Sequence, residues 1–234
     1  DGGQFSTPIH TPIMKLSVPL ASGRGDGPRL AKMSTTSTLY HNDDPIRRSN
    51  VTIVATAFWR RLDTLGHDAC RLEQCGSGWR IEGTAVFRRK EGPACIAYRV
   101  ECGADWKTVR GDVRGFLGRR PIEYLIVRQG TEWTLNGEVV HGLDHLVDLD
   151  LGFTPATNLQ QLRRVPIAQG CAAHISVAWL DAETGELTEL DQRYTRRGES
   201  AFWYEAPSAS YEGLLKLAPD GFIRHYPTLW KAEQ

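Results

Sequence analysis

Long apolar runs are absent from the sequence. A membrane-spanning helix needs about 20 predominantly apolar residues, and the longest apolar runs, such as residues 52–58, are far shorter. Close to Met14, charged residues and glycines occupy the place where a signal peptide would carry its apolar segment. We therefore predict no transmembrane segment and a cytoplasmic location.

An excess of charge of one sign is also absent. Lysine and arginine together number 28, and aspartate and glutamate together number 28. A neutral chain produces no overall field that would attract it to nucleic acid or to an anionic membrane. We therefore predict no nucleic-acid partner, and the composition leaves the oligomeric state open.

The few cysteines lack the spacing of a metal module. The chain has five, at Cys70, Cys75, Cys95, Cys102 and Cys171, and none forms a CxxC pair. An odd number without such spacing indicates neither a zinc site nor a disulfide framework. Cys95 and Cys102 fall on opposite faces of one predicted strand, and we interpret them as core thiols.

Catalytic and cofactor motifs are equally scarce. The sequence contains no GxSxG, no phosphate-binding loop and no GxGxxG, so nothing favours a nucleophilic serine or a nucleotide cofactor. His141 and His145 would share a helical face, but Gly142 disfavours a helix there and no third ligand is evident. We predict no metal and no cofactor.

Alternating apolar residues are abundant after residue 50. Residues 79–87 and 95–102 alternate apolar with polar or small side chains, and residues 122–129, 174–181, 189–194 and 210–217 follow the same period of two. Asn136-Gly137 and Asp220-Gly221 are dipeptides typical of hairpin turns. The main helical candidate is residues 156–164, enclosed by Pro155 and Pro166.

So many strands with so little helix must form a sheet that closes or curls on itself. We predict an all-β, mainly antiparallel fold: a curled open or incomplete β-barrel with one short helix, as a single domain over residues 51–232. Residues 1–50 are rich in Ser, Thr, Gly, Pro and charge, and we predict a disordered leader. The seven Trp and seven Tyr either wall a ligand cavity or fill a sandwich core.

The stretch DLDLGFTPATN, residues 148–158, carries the most distinctive polar pattern. In a strand, Asp148 and Asp150 share a face, at a spacing compatible with glycoside hydrolysis or a hard cation. Alternatively, they pair with nearby arginines in an ion network, for which Arg163, Arg164 and Arg193 are available. We favour the structural interpretation.

Several segments in this order resemble one bacterial family: FWRRLD, LEQCGSGWRIEGTAVF, YRVECGADWKT, VDLDLGFTPATNLQQLRR, DQRYTR and DGFIRHYPTLWK. The family is described as putative glycolipid-binding and was formerly a domain of unknown function. The resemblance implies a fold like that of the lipoprotein-localisation carriers (LolA/LolB-like), with a concave apolar interior that accepts acyl chains. Gln160 and Gln161 depart from the family pattern, and the carriers are exported whereas this chain shows no export signal.

The resemblance also implies candidate ligand-binding residues. They are Trp59, Trp79, Tyr98, Trp106, Asp148, Asp150, Thr154, Asn158, Arg163, Arg164, Arg193 and Tyr194. We expect the polar members of the 148–164 stretch at a cavity mouth, where they would select a head group. The predicted function is noncatalytic binding of an amphipathic lipid or glycolipid. The alternatives are a hydrolase or isomerase that uses Asp148 and Asp150 on a hydrophobic small molecule, and a protein-interaction module.

Overall fold

The computed structural model describes residues 51–233. The prediction of a disordered leader concerns residues outside this range. The strands are β1 (Val51–Arg61), β2 (Gly66–Cys75), β3 (Gly78–Arg89), β4 (Gly92–Cys102), β5 (Thr108–Leu117), β6 (Arg120–Gln129), β7 (Glu132–Leu135), β8 (Glu138–Val140), β9 (Leu149–Leu151), β10 (Ala172–His174), β11 (Val177–Asp181), β12 (Glu186–Leu190), β13 (Arg193–Arg196), β14 (Ala201–Ala206), β15 (Tyr211–Leu217), β16 (Ile223–Tyr226) and β17 (Trp230–Ala232). One α-helix, α1 (Asn158–Arg164), and one 3-10 turn (Pro207–Ala209) complete the described elements.

Fourteen strands form one large sheet in the order β10-β13-β14-β15-β16-β17-β1-β2-β3-β4-β5-β6-β7-β8. Every pairing within it is antiparallel. The sheet is open, and each of its edge strands, β8 and β10, has only three residues, which limits pairing with a second chain. The predicted open, mainly antiparallel fold with one short helix is confirmed. Likeness to the lipoprotein carriers stays a prediction.

A small second sheet has the order β12-β11-β9, in which β9 runs parallel to β11. Strand β9 and helix α1 contain most of the 148–164 stretch, and their side chains contact the large sheet. Thr154 bonds to Asp68 of β2, and Gln160 bonds to Cys102 of β4. We call the side of the large sheet that faces this stretch the inner face, and the opposite side the outer face.

The alternation predicted from the sequence is confirmed in the central strands. In β4, Ile96, Tyr98, Val100 and Cys102 are buried while the intervening side chains are partly exposed. The predicted turn at Asn136-Gly137 joins β7 to β8, with φ of +54° and +89° at the two residues. These values suit Asn and Gly because both tolerate the left-handed region.

Two details differ from the sequence interpretation. Leu190 and Tyr194 are buried as expected, but they belong to different sheets because the chain leaves one ladder and enters the other at Gln192. Cys102 is a core thiol, whereas Cys95 is only half-buried because it points to the outer face. Among residues 51–233, no helix is long and apolar enough to cross a membrane.

Candidate functional site

The 148–164 stretch forms a buried polar cluster against the inner face. Strand β9 pairs with β11 on one side only, and side chains satisfy the backbone on its other side. The Leu149 amide donates to Thr108 Oγ1 at 2.9 Å, and the Leu151 amide donates to Thr157 Oγ1 at 3.2 Å. The Gln160 side-chain amide donates to the Leu149 carbonyl. Polar side chains thus replace a missing neighbour strand, as buried backbone groups require.

Asp148 is fully buried, at 0% exposure, and it is held by one arginine. Arg164 donates from Nε to Oδ1 at 3.0 Å and from Nη2 to Oδ2 at 2.5 Å. Burial raises the pKa of Asp148, and the hydrogen bonds from Arg164 act against that rise. This pair confirms the ion-pair interpretation for one of the three arginines.

Asp150 is held by amides instead of a cation. Gln192 Nε2 donates to its Oδ2 at 2.9 Å and Gln161 Nε2 at 3.4 Å. Burial raises the pKa of Asp150, and these two donors oppose the rise. Tyr194 extends the network, since its hydroxyl lies 2.8 Å from Gln161 Oε1 and accepts from Asn158 Nδ2 at 2.8 Å. Gln161 is therefore a structural part of this cluster.

A third buried carboxylate, Asp68 of β2, was missed in the sequence. Its Oδ2 accepts from the Tyr98 hydroxyl at 2.9 Å and from Thr154 Oγ1. Burial raises the pKa of Asp68 to about 6 in spite of these donors. A signal was present, because Asp68 shares a face with the apolar Cys70 and Leu72 in the alternation of β2.

The aromatic candidates divide into packed and half-exposed residues. Trp59 is fully buried, donates from Nε1 to the Ile223 carbonyl at 2.5 Å, and packs edge-on against Phe222. Trp79 and Trp106 stack with ring centroids 4.5 Å apart, and both remain partly exposed. Trp59 therefore fills core space, which is one of the two roles that the composition allowed for the aromatics.

The other two arginines do not join the aspartates. Arg163 is exposed and donates to the Asp220 carbonyl at 2.5 Å. Arg193 pairs with Glu205 of the neighbouring strand at 3.1 Å. The proposed three-arginine network is thus wrong for these two, because Arg163 bonds to the turn before β16 and Arg193 to the neighbouring strand β14.

The expected cavity mouth is not where the structure places the polar residues. Asp148, Asp150, Thr154 and Asn158 are all buried and bonded to protein groups. His141 and His145 lie in turns instead of a helix, and His145 lies 3.1 Å from Glu189. In the part of the chain that the structure describes, no three His, Cys, Asp or Glu side chains are grouped to hold a metal ion.

A separate feature lies on the outer face. A groove of about 600 Å³ crosses strands β2 to β6. Its lining residues are Ala69, Arg71, Glu82, Gly83, Thr84, Ala97, Tyr98, Arg99, Arg110, Asp112, Val113, Arg114, Glu123, Tyr124 and Leu125. A second concavity of about 440 Å³ adjoins it across β1 and β2 and shares Ala69, Arg71 and Glu82 with it. Sequence reasoning missed this groove because the strand alternation identifies an outer face but not which outer residues become neighbours.

Fold and polar cluster together define an open antiparallel sheet protein whose inner face is closed by a short parallel strand pair and one helix. The profile of the family described as "Putative glycolipid-binding" matches residues 56–232, and the chain belongs to this family. No curated protein matches the chain. Among solved structures, a DUF1089 family protein from Pseudomonas aeruginosa is similar, with a TM-score of 0.60 and 21% identity over 86% of this chain and 99% of that chain. At this identity, the likeness concerns the fold.

Proposed function

We propose that the protein binds an amphipathic lipid or glycolipid without changing it chemically. The observation that carries the proposal is membership of the family described as "Putative glycolipid-binding" by a chain whose outer face holds a groove lined by both charged and apolar residues. A volume of about 600 Å³ falls within the usual range for small-molecule sites. Each buried methylene of an acyl chain contributes about 0.8 kcal/mol, so a short chain offsets the cost of association.

For the buried candidates Trp59, Tyr98, Asp148, Asp150 and Tyr194 we propose a supporting role. Their polar atoms already bond to protein groups, so binding a ligand through those atoms would break existing hydrogen bonds. Holding the inner face closed keeps the sheet in one shape. The half-exposed Trp79 and Trp106 remain able to touch a ligand from the surface.

The test is native mass spectrometry of protein purified from its own host without detergent, followed by solvent extraction of whatever is released. The proposal predicts a discrete added mass that resolves to an intact acylated or glycosylated lipid. A bare mass that persists after incubation with mixed host lipids would contradict it. A co-purifying protein in fixed ratio, with no extractable lipid, would favour the interaction module instead.

The Asp150→Asn variant separates binding from catalysis. Asn keeps the size of the side chain and can still accept one hydrogen bond from Gln192. If the protein binds lipid without turnover, the parent protein and Asp150→Asn should retain equal amounts of the lipid with which they are incubated, and that lipid should be recovered unchanged from both. Conversion of the lipid by the parent protein, lost in Asp150→Asn, would favour the hydrolase or isomerase.

A further inference from the structure

Three neighbouring rows of residues run across the strands on the outer face, and the groove occupies the middle row and one of the two flanking rows. The middle row is small over β2 to β4, where Ala69 pairs with Thr84 and Thr84 with Ala97. Phe58 of β1 and Arg114 of β5 continue the row at its two ends. Its small side chains form a floor, because the rows on either side carry larger residues. Successive rows on one face of a strand lie about 7 Å apart, so the two flanking rows are about 13 Å from each other.

One flanking row only borders the groove and is mostly apolar, with His67 beside Glu233 at one end. His67 pairs with Val86, Val86 with Cys95, and Cys95 with Phe116, and Phe58 stacks on His67 with ring centroids 5.0 Å apart. Phe58, Val86 and Phe116 are 45%, 49% and 42% exposed. By register Phe58 lies opposite Ala69, and it reaches this row through its stacking on His67. Strands are spaced by about 4.8 Å, so the row itself extends for about 14 Å from β2 to β5. Contiguous exposed apolar surface of this kind marks a binding surface.

The other flanking row is charged, with Arg71, Glu82, Arg99 and Asp112 paired in succession. Glu82 is already engaged, since it accepts from Arg71 at 2.9 Å and from Arg99 at 2.8 Å. Asp112 is engaged by Arg110 at 2.7 Å. The acidic groups of this row are therefore occupied by arginines that also line the groove.

Positive donor capacity remains in the groove. The Nε of Arg99 is buried and has no hydrogen-bond partner within residues 51–233. Arg114 lines the same groove opposite Glu123 of β6, and within residues 51–233 it forms no ion pair, with Glu123 or with any other residue. A buried donor without a partner costs free energy until something accepts from it, and a guanidinium favours an oxyanion because its fork matches two oxygens.

Together, these rows point to one occupant. We propose that the outer-face groove binds a single-chain amphiphile with an oxyanion head group, which Arg99 and Arg114 hold while the chain lies along the apolar row. This inference rests on the proposed function and adds to it a location and a head-group class. The interior is not the site, since the inner-face candidates are occupied by each other.

Dodecyl phosphate, kept below its critical micelle concentration, is the probe, and isothermal titration calorimetry is the measurement. Dodecyl maltoside has the same chain with a neutral head, and inorganic phosphate has the head without the chain. We expect dodecyl phosphate to bind at least tenfold more tightly than either. Equal affinity for dodecyl phosphate and dodecyl maltoside would overturn the head-group class. Binding to phosphatidylglycerol vesicles, without binding to dodecyl phosphate, would overturn the single-molecule site in favour of a membrane surface.

Variants locate the site. Arg99→Ala and Arg114→Ala should each weaken dodecyl phosphate binding about tenfold, which is typical for loss of one charged hydrogen bond. Thr84→Trp should fill the floor and abolish binding, with thermal unfolding used to show that it folds. Arg224→Ala, which removes an exposed arginine on β16 far along the sheet order, is the control and should bind as the parent does.

The outcomes separate the two proposals. If the parent protein binds dodecyl phosphate and all four variants bind it equally, the groove is the wrong site while lipid binding stands. If the parent protein retains a host lipid in the mass spectrometer but binds no dodecyl phosphate, the result contradicts the proposed head-group class and site but supports lipid binding. Absence of any lipid in both measurements contradicts both proposals.

Discussion

Polar groups on the two faces of the large sheet differ in how fully they are hydrogen-bonded. On the inner face, Asp68, Asp148 and Asp150 are buried, and each accepts hydrogen bonds from at least two donor groups. On the outer face, arginines outnumber acids along the groove, and the Arg99 Nε has no partner in the described chain. In β2 adjacent residues divide between the two faces, since Asp68 is buried on the inner face while Ala69 lines the groove.

This difference distinguishes architecture from recognition. A buried polar group that is fully bonded has no capacity left for a ligand, and it contributes by fixing one arrangement of the core. A partly exposed group with spare donors can gain a partner without breaking an existing bond. The most distinctive sequence motif of the chain therefore belongs to the architecture, while the candidate site uses ordinary residues of β2 to β6.

The largest effect on stability is expected for Asp148→Ala. The change leaves Arg164 without its buried partner, and loss of one member of such a pair should cost about 4 kcal/mol. Urea unfolding measures it. The matched outer-face change, Asp112→Ala, removes an exposed pair with Arg110 and should cost about 0.5 kcal/mol. Equal costs would abolish the distinction between the faces.

Asp68 should make stability depend on pH in an unusual direction. Its pKa rises from 3.8 to about 6 on folding because of burial, so the folded protein holds the proton more tightly than the unfolded chain. Its contribution is fully present below about pH 4 and is lost as the pH rises through about 6, a change of about 3 kcal/mol. In Asp68→Asn, unfolding between pH 4 and pH 7 should lack this fall.

Glu82 on the outer face should make stability depend on pH in the opposite direction to Asp68. Partial burial acts to raise the pKa of Glu82, but hydrogen bonds from Arg99 and Arg71 outweigh it and lower that pKa below its usual value. Its contribution is present above the unfolded pKa and is lost as the pH falls through the folded pKa. Glu82→Gln should therefore reduce the loss of stability in acid, and a fall with rising pH in that variant beyond that of the parent would contradict the assignment.

Gly111→Ala should cost about 2 kcal/mol. Gly111 lies on the inner face of β5, and an added methyl group would collide with Leu149 of β9, which produces overpacking. Denaturant unfolding should show the loss, and shortening Leu149 to Ala in the same protein should recover part of it. Additive losses in the double variant would show that the two residues do not share this space.

Arg99→Ala should have the smallest effect on stability. Its ion pair with Glu82 is 41% exposed on the arginine side, so the free energy of unfolding should change by about 0.5 kcal/mol or less. Binding of dodecyl phosphate should nevertheless weaken about tenfold. A change in stability as large as that of Asp148→Ala would place Arg99 with the architectural residues.

Local patterns in the sequence predict the strands and turns well. The period of two in β3 and β4, the Asn136-Gly137 turn and the short helix enclosed by prolines all depend on neighbouring residues. The partners of the buried polar groups depend on residues far apart, such as Thr154 and Asp68, which are separated by 86 positions. No local pattern encodes such a pairing. For the same reason, the groove follows from the strand register instead of from any one segment.

Methyl NMR tests the central claim most directly, because methyl groups report separately on the two faces. During titration with dodecyl phosphate, we expect the largest shifts at the outer-face methyl groups of Ala69, Thr84 and Ala97. Inner-face methyl groups that do not line the groove, such as those of Ile96 and Leu149, should move little. Shifts concentrated at Leu149 and Thr154, with Ala69 and Ala97 unchanged, would place the ligand inside the fold and contradict the account.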